Sequence, residues 1–171
     1  MVTPKSTQQE LIAEINNTIS QFVDRIEMLD DDKINTIPYP DSWTAGQLCN
    51  HILKSTLGIV RAMKTDGQAA TKDSTEKIIG LQNMFLSVSN KFQSPKEIVP
   101  EDRPFDKQQT IDDLTQCFKD LDFYSRNSNL DEELDGGPLG PITKYELLHF
   151  VLYHSQRHLR QMKRIYEAII I

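Results

Sequence analysis

Two histidines four residues apart, His154 and His158, are the side chains of this 171-residue chain best placed for chemistry. On an α-helix, residues i and i+4 share a face with Cβ atoms about 5–6 Å apart, so two imidazoles can grip one metal ion from the same side. Leu147, Val151, Gln161 and Ile165 lie on the same face within about 40°, so the pair interrupts a stripe that otherwise reads as core. A third imidazole is available at His51, whose own helix face carries Thr44, Leu48, Ser55, Gly58 and Ala62. Most of these are small and leave room beside the ring, where an ordinary core stripe would be filled by Leu or Ile. Three imidazoles on one divalent ion leave a coordination position open, as catalytic sites do, and Zn, Ni and Fe all accept nitrogen donors. From spacing alone the competing reading, three hydrogen-bonded core histidines, stays open.

Other constellations are less suited. A zincin needs Glu directly after its first histidine, and Ser155 stands there. Glu146 and His149 have di-iron spacing, but no second such motif exists, and Glu146 already has a capping role. Cys49 precedes His51 by two residues and so points to another side of the helix, as a packing cysteine rather than a nucleophile. His149 reads as a surface or interface histidine, and Trp43 as a staple at the start of its helix that could also serve as a substrate platform.

The elements that must position these residues are helical. Thr7 with Glu10, and Thr143 with Glu146, have capping-box spacing. The first opens a helix carrying Leu11, Ile12, Ile15, Ile19, Phe22, Ile26 and Leu29 and ending in the run Asp30–Asp32, and the second opens a helix that nothing breaks before Ile171. Two prolines in IPYPDSW delay the second helix until Asp41 or Ser42 can cap it, and it runs from about 43 to 63. Its opposite face (Leu53, Leu57, Val60) is apolar too, which predicts burial on two sides or a dimer interface. Gly58 within it predicts close approach of a neighbour or ligand.

A long connection over 64–106 follows, with a polar segment at 65–75, a short helix within 76–92, and the extended stretch SPKEIVPEDRPF. A crossover of that length is expected to cover or shape a site, and it is where substrate contacts are expected. Asp106 with Gln109, or Thr110 with Asp113, starts the third long helix, and LDGGPLGPI is a turn-rich joint before the last.

Bulk properties bound the function. The length suits a single domain spanning 1–171 with a sizeable core. A formal charge of −6 argues against a nucleic-acid partner. The basic cluster Arg157, Arg160, Lys163 and Arg164 reads as the solvated face of a terminal helix. Two cysteines, Cys49 and Cys117, make no disulfide framework. With no leader and no run near eighteen apolar residues, the expectation is a cytoplasmic protein with no membrane partner.

Two segments, SWTAGQLCNHILKS and TKYELLHFVLYHSQRHLRQM, resemble the DinB/YfiT-like superfamily. Its pattern W-[ST]-x-x-Q-x-x-x-H is met by Trp43, Thr44, Gln47 and His51. The pattern T-x-x-E-L-x-x-F-x-x-x-H-x-x-x-H is met by Thr143, Glu146, Leu147, Phe150, His154 and His158. The resemblance implies an all-α four-helix bundle, up-up-down-down with a long crossover between helices two and three, often a homodimer, with His51, His154 and His158 on one metal. It further implies a small-molecule substrate. The leading activity is metal-dependent transfer of a low-molecular-weight thiol, of the bacillithiol type, onto an electrophile. A hydrolase using metal-activated water and a non-enzymatic dimer are the alternatives. Ser55 and Gln161, one turn from the histidines, are expected to orient substrate or water.

Overall fold

The chain's capping residues set where its helices begin. The structure, a computed structural model, describes residues 7–87, 89 and 93–170. Thr7 and Glu10 close the expected capping box on α1 (Gln8–Glu27), and Leu11, Ile12, Ile15, Ile19, Phe22 and Ile26 form its buried face. At about 1.5–3 kcal/mol for each large side chain buried, that one face is a major contribution to stability. The helix stops at Glu27 with Met28 as its cap, ahead of the acidic run that the sequence suggested as its end.

The second helix, α2 (Ala45–Lys64), starts later than the prolines alone require. Thr44, not Asp41 or Ser42, is its N-cap, and Gln47 completes a capping box. Asp41 instead takes a left-handed backbone conformation, with φ 59°. Gly46 is needed for packing: a Cβ there would lie 2.8 Å from the Phe105 ring. Gly58 differs from expectation, since a Cβ at that position would meet nothing within 4 Å, so no neighbouring segment requires it.

The connection contains α3 (Ile78–Leu86) and a single 3-10 turn, Lys96–Ile98, within the stretch read as wholly extended. The helix expected within 76–92 is therefore shorter, and residues 88 and 90–92 lie outside the described ones. Asp106 caps α4 (Lys107–Arg126) through the Gln109 amide. The joint before the last helix folds further than the sequence suggested. Strands β1 (Gln68–Ala69), β2 (Glu132–Asp135) and β3 (Pro141–Thr143) form an antiparallel sheet in that order, with Leu134 opposite Ile142 and Gln68 opposite Glu133. Strands of two to four residues are too short for alternation to show in sequence.

The last helix, α5 (Lys144–Ile170), packs against α1, α2 and α3, while α4 packs against α1 and α2. The four long helices thus make the expected all-α bundle, ordered α1–α5–α2–α4 around its core. Their directions follow from contacts at the ends. Ser128 just beyond α4 bonds the Met63 carbonyl near the end of α2, so these two helices run parallel. Lys107 at the start of α4 bonds the Leu29 carbonyl beyond α1, so α1 opposes them, and α5 leaves the same end as α4 finishes. In chain order this is up-down-down-up, not the up-up-down-down order that the resemblance implied. The long crossover joins the two parallel helices, α2 and α4, which is why it must travel the bundle's length.

Glu146 ties the crossover to the last helix. It is fully buried; Oε2 accepts from the Thr143 amide at 3.0 Å and Oε1 from the Lys77 amide at the start of α3 at 2.7 Å. Thr143 Oγ1 accepts from the Glu146 amide at 3.2 Å and donates to the Ser74 carbonyl at 3.2 Å. Removing the carboxylate orphans a buried amide at Thr143 and a half-buried one at Lys77, so Glu146→Ala is expected to cost about 2–4 kcal/mol. Urea unfolding measures that loss, and hydrogen exchange at the Lys77 amide should quicken with it.

Candidate metal centre

His51 from the middle of α2 meets His154 and His158 from α5, and the three are 2%, 5% and 7% exposed. Their Nε2 atoms form a triangle with all three sides 3.1 Å. The centre of such a triangle lies about 1.8 Å from each corner, close to the roughly 2.0–2.1 Å of a zinc–imidazole bond, so the three nitrogens would suit a single ion. Among the described residues this is the group of His, Cys, Asp and Glu whose donor atoms converge in a way that suits a metal, and no carboxylate joins it.

The other ring nitrogens decide the tautomers. His51 Nδ1 lies 2.8 Å from the Ile98 carbonyl, and His158 Nδ1 lies 2.9 Å from Gln161 Oε1. Both partners are oxygen acceptors, so both Nδ1 atoms carry the proton and donate it. In the neutral rings, the Nε2 atoms of His51 and His158 then each present a lone pair, and these face one another at 3.1 Å in a buried site. Two buried acceptors at hydrogen-bond distance repel unless a cation lies between them. The donor set therefore fits a metal on chemical as well as metric grounds.

Aromatic rings wall the centre. Trp43 lies 5.0 Å from the His51 ring by centroids, Phe85 of α3 meets His154 edge-on at 5.6 Å, and Phe150 stacks on His154 at 5.3 Å. Burial depresses the basicity of all three histidines. For His158, burial and then the charge of His51 bring the pKa down to about 3. His154 is held well below the usual histidine range by burial, by His158 and His51, and by Arg157. In His51 burial outweighs the Ile98 bond. Neutral imidazoles are the ligand form, so protons do not compete for these nitrogens at neutral pH.

The remaining sequence candidates fall into place around this centre. Gln161 bonds the His158 ring, its Oε1 lying 2.9 Å from Nδ1. Ser55 is buried on the His51 stripe and makes no hydrogen bond to any of the three rings. Cys49 is fully buried and burial pushes its thiol well up, as befits a packing residue. His149 is corrected: it is only 6% exposed, bonded through Nδ1 to the Tyr145 carbonyl and packed on the Tyr145 ring. Its neighbours on α5 are covered by the rest of the bundle, which a single-helix reading does not reveal. The Ile98 carbonyl and Phe85 were missed. Both come from the crossover, at separations where sequence carries no pairing signal, whereas Phe150, four residues before His154, was legible from helical spacing.

Fold and site together define a helical-bundle protein with a buried three-histidine centre able to hold a metal ion. The sequence matches the family described as the DinB superfamily over residues 14–162, and the chain belongs to that superfamily. A crystal structure of a conserved protein from Enterococcus faecalis is similar in fold, with a TM-score of 0.66 over 96% of this chain and 98% of that one at 15% identity. No curated protein matches the sequence. Among the described residues, no helix is long and apolar enough to cross a membrane.

Gln161→Leu should lower zinc affinity by about 10- to 100-fold, the usual cost of losing a partner that orients a ligating histidine. Competition with a chromophoric chelator measures it. The depressed histidines also set a pH dependence. Their folded pKa values lie below the unfolded value of about 6.5, so the folded state binds fewer protons and loses stability as pH falls below that value, towards about 3 for His158. The urea midpoint of metal-free protein should therefore drop between pH 7.5 and 5, and His154→Gln/His158→Gln should flatten the decline.

Proposed function

We propose that this protein is a metal-dependent enzyme, with His51, His154 and His158 holding one divalent transition ion, zinc or nickel first and iron as a further fit. The observation that carries the reading is the triangle of three buried Nε2 atoms, each 3.1 Å from the other two. The reaction proposed is transfer of a low-molecular-weight thiol, such as bacillithiol, onto an electrophilic small molecule. A divalent ion at this centre lowers the pKa of a thiol, making thiolate available at neutral pH. The thiol proton leaves to solvent, the sulfur forms a bond to the electrophilic carbon, and the displaced group departs with its electron pair.

The chain's own residues supply position and shelter. Ile98 and Gln161 keep two imidazoles turned inward. Trp43, Phe85 and Phe150 exclude water from around the rings. The face of α2 that carries His51 also carries Ser55 and Gly58, and a Cβ added at Gly58 would meet nothing within 4 Å. Hydrolysis ranks second because activating water benefits from a carboxylate base, and the histidine cluster contains none.

Elemental analysis of the purified chain should find about one equivalent of transition metal, and none in His154→Ala/His158→Ala. Metal-loaded protein should then speed loss of a thiol onto a model electrophile, and chelation should abolish this with the fold largely kept. Turnover of an activated ester without thiol would favour the hydrolase. Collapse of thermal stability on chelation, with neither activity, would make the metal structural.

A further inference from the structure

The turn that supplies the carbonyl behind His51 is too short to be stable alone. Lys96–Ile98 is a single 3-10 turn set between Pro95 and Pro100. Its bonds run from the Ile98 amide to the Pro95 carbonyl at 3.1 Å and from the Val99 amide to the Lys96 carbonyl at 3.4 Å. They use neither the Ile98 nor the Val99 carbonyl, and both of these are met from α2. His51 Nδ1 lies 2.8 Å from the Ile98 carbonyl, and Lys54 Nζ donates to the Val99 carbonyl at 3.0 Å. Pro100 has no amide to give, and the next one along the chain, at Glu101, donates to Asn50 Oδ1 at 3.0 Å. Lys54 Nζ also lies 3.6 Å from Glu101 Oε1.

Asn50 and Lys54 stand one helical turn apart on α2, with His51 between them in sequence. Asn50 is buried, whereas Val99 is 42% exposed, so packing of the Val99 side chain does little to fix the segment. The bonds at Val99 and Glu101 therefore hold the backbone that directly follows Ile98. The place of that carbonyl matters because it decides which His51 nitrogen carries the proton. With an acceptor behind the ring, Nδ1 keeps the proton and Nε2 faces the other histidines bare. A carbonyl that drifts lets the ring turn or the proton move to Nε2, and the triangle loses a corner.

We propose that Asn50 and Lys54 are positioning residues of the three-histidine centre, acting through the Ile98 carbonyl to hold the His51 ring and its proton in the ligating arrangement. This rests on the metal reading above and extends it to residues that touch no ion. The test measures the zinc affinity of the full chain by competition with a chromophoric chelator. Nitrogen-15 NMR of the His51 ring in metal-free protein reports where its proton sits. Asn50→Ala/Lys54→Met should bind zinc about 10- to 100-fold more weakly and shift the ring signals towards a smaller Nδ1–H share. Lys54→Met alone, at a partly exposed position that the fold does not depend on, should give part of that loss. Removing a cation from near a divalent ion would by itself strengthen binding, so a weaker affinity separates positioning from charge. In a His51→Ala background the same pair of substitutions should leave the residual zinc affinity unchanged, whereas a general loosening of the fold would lower it. Arg103→Gln, which breaks the Arg103–Glu101 pair and leaves the α2 bonds in place, should change neither readout. Unchanged zinc affinity and ring signals in the double variant, or an equal loss in the His51→Ala background, would overturn the proposal. Parent protein that retains no zinc would overturn the metal reading instead, and the ring signals would still decide whether Asn50 and Lys54 hold His51.

Discussion

Two nitrogen lone pairs held face to face in a dry interior are the constraint around which this molecule is arranged. His51 and His158 each give their single proton to an oxygen behind the ring, the Ile98 carbonyl and Gln161 Oε1, and so bring bare Nε2 atoms together at 3.1 Å. Core histidines kept for packing would be expected to hydrogen-bond one another, donor to acceptor. Here the outward-facing bonds work against that for one pair, and burial disfavours relief by protonation. A cation between the rings satisfies both conditions at once.

Maintaining that arrangement requires parts of the chain far apart in sequence. α5 supplies two of the clustered histidines at one-turn spacing, and α2 supplies the third. The crossover between α2 and α4 does the rest: its 3-10 turn gives the carbonyl behind His51, and α3 lays Phe85 on His154. The crossover is fastened at both ends of α3, by Glu146 on the Lys77 amide and by Arg157 and Arg160 on the last carbonyls. A buried carboxylate at one helix end and guanidinium groups at the other also match the polarity of the helix dipole. The length of the crossover is thus explained by the need to run beside the site between two parallel helices.

Much of this was legible in the sequence because it is local. The capping boxes at Thr7 and Thr143 require only three-residue spacing, and both formed. The His154/His158 pair and its Phe150 neighbour follow from helical periodicity, and the small face of α2 pointed to His51 as the third partner. Local rules also misled. Asp41 and Ser42 are good capping residues in isolation, yet Thr44 caps because Gln47 can return its bond. His149 looks like a surface residue on one helix but is covered by the others. The acceptor for His51 lies 47 residues away, the sheet strands are too short to show a period, and helix directions depend on which ends meet; none of these leaves a mark in a window of fifteen residues.

X-ray absorption at the zinc edge of the zinc-loaded protein addresses the central claim most directly. Three imidazole nitrogens at about 2.0–2.1 Å, with multiple scattering from three rings that falls to two in His51→Ala, is the predicted result. Zinc that is not retained, or a first shell of oxygen or sulfur with fewer than three imidazoles, would contradict it.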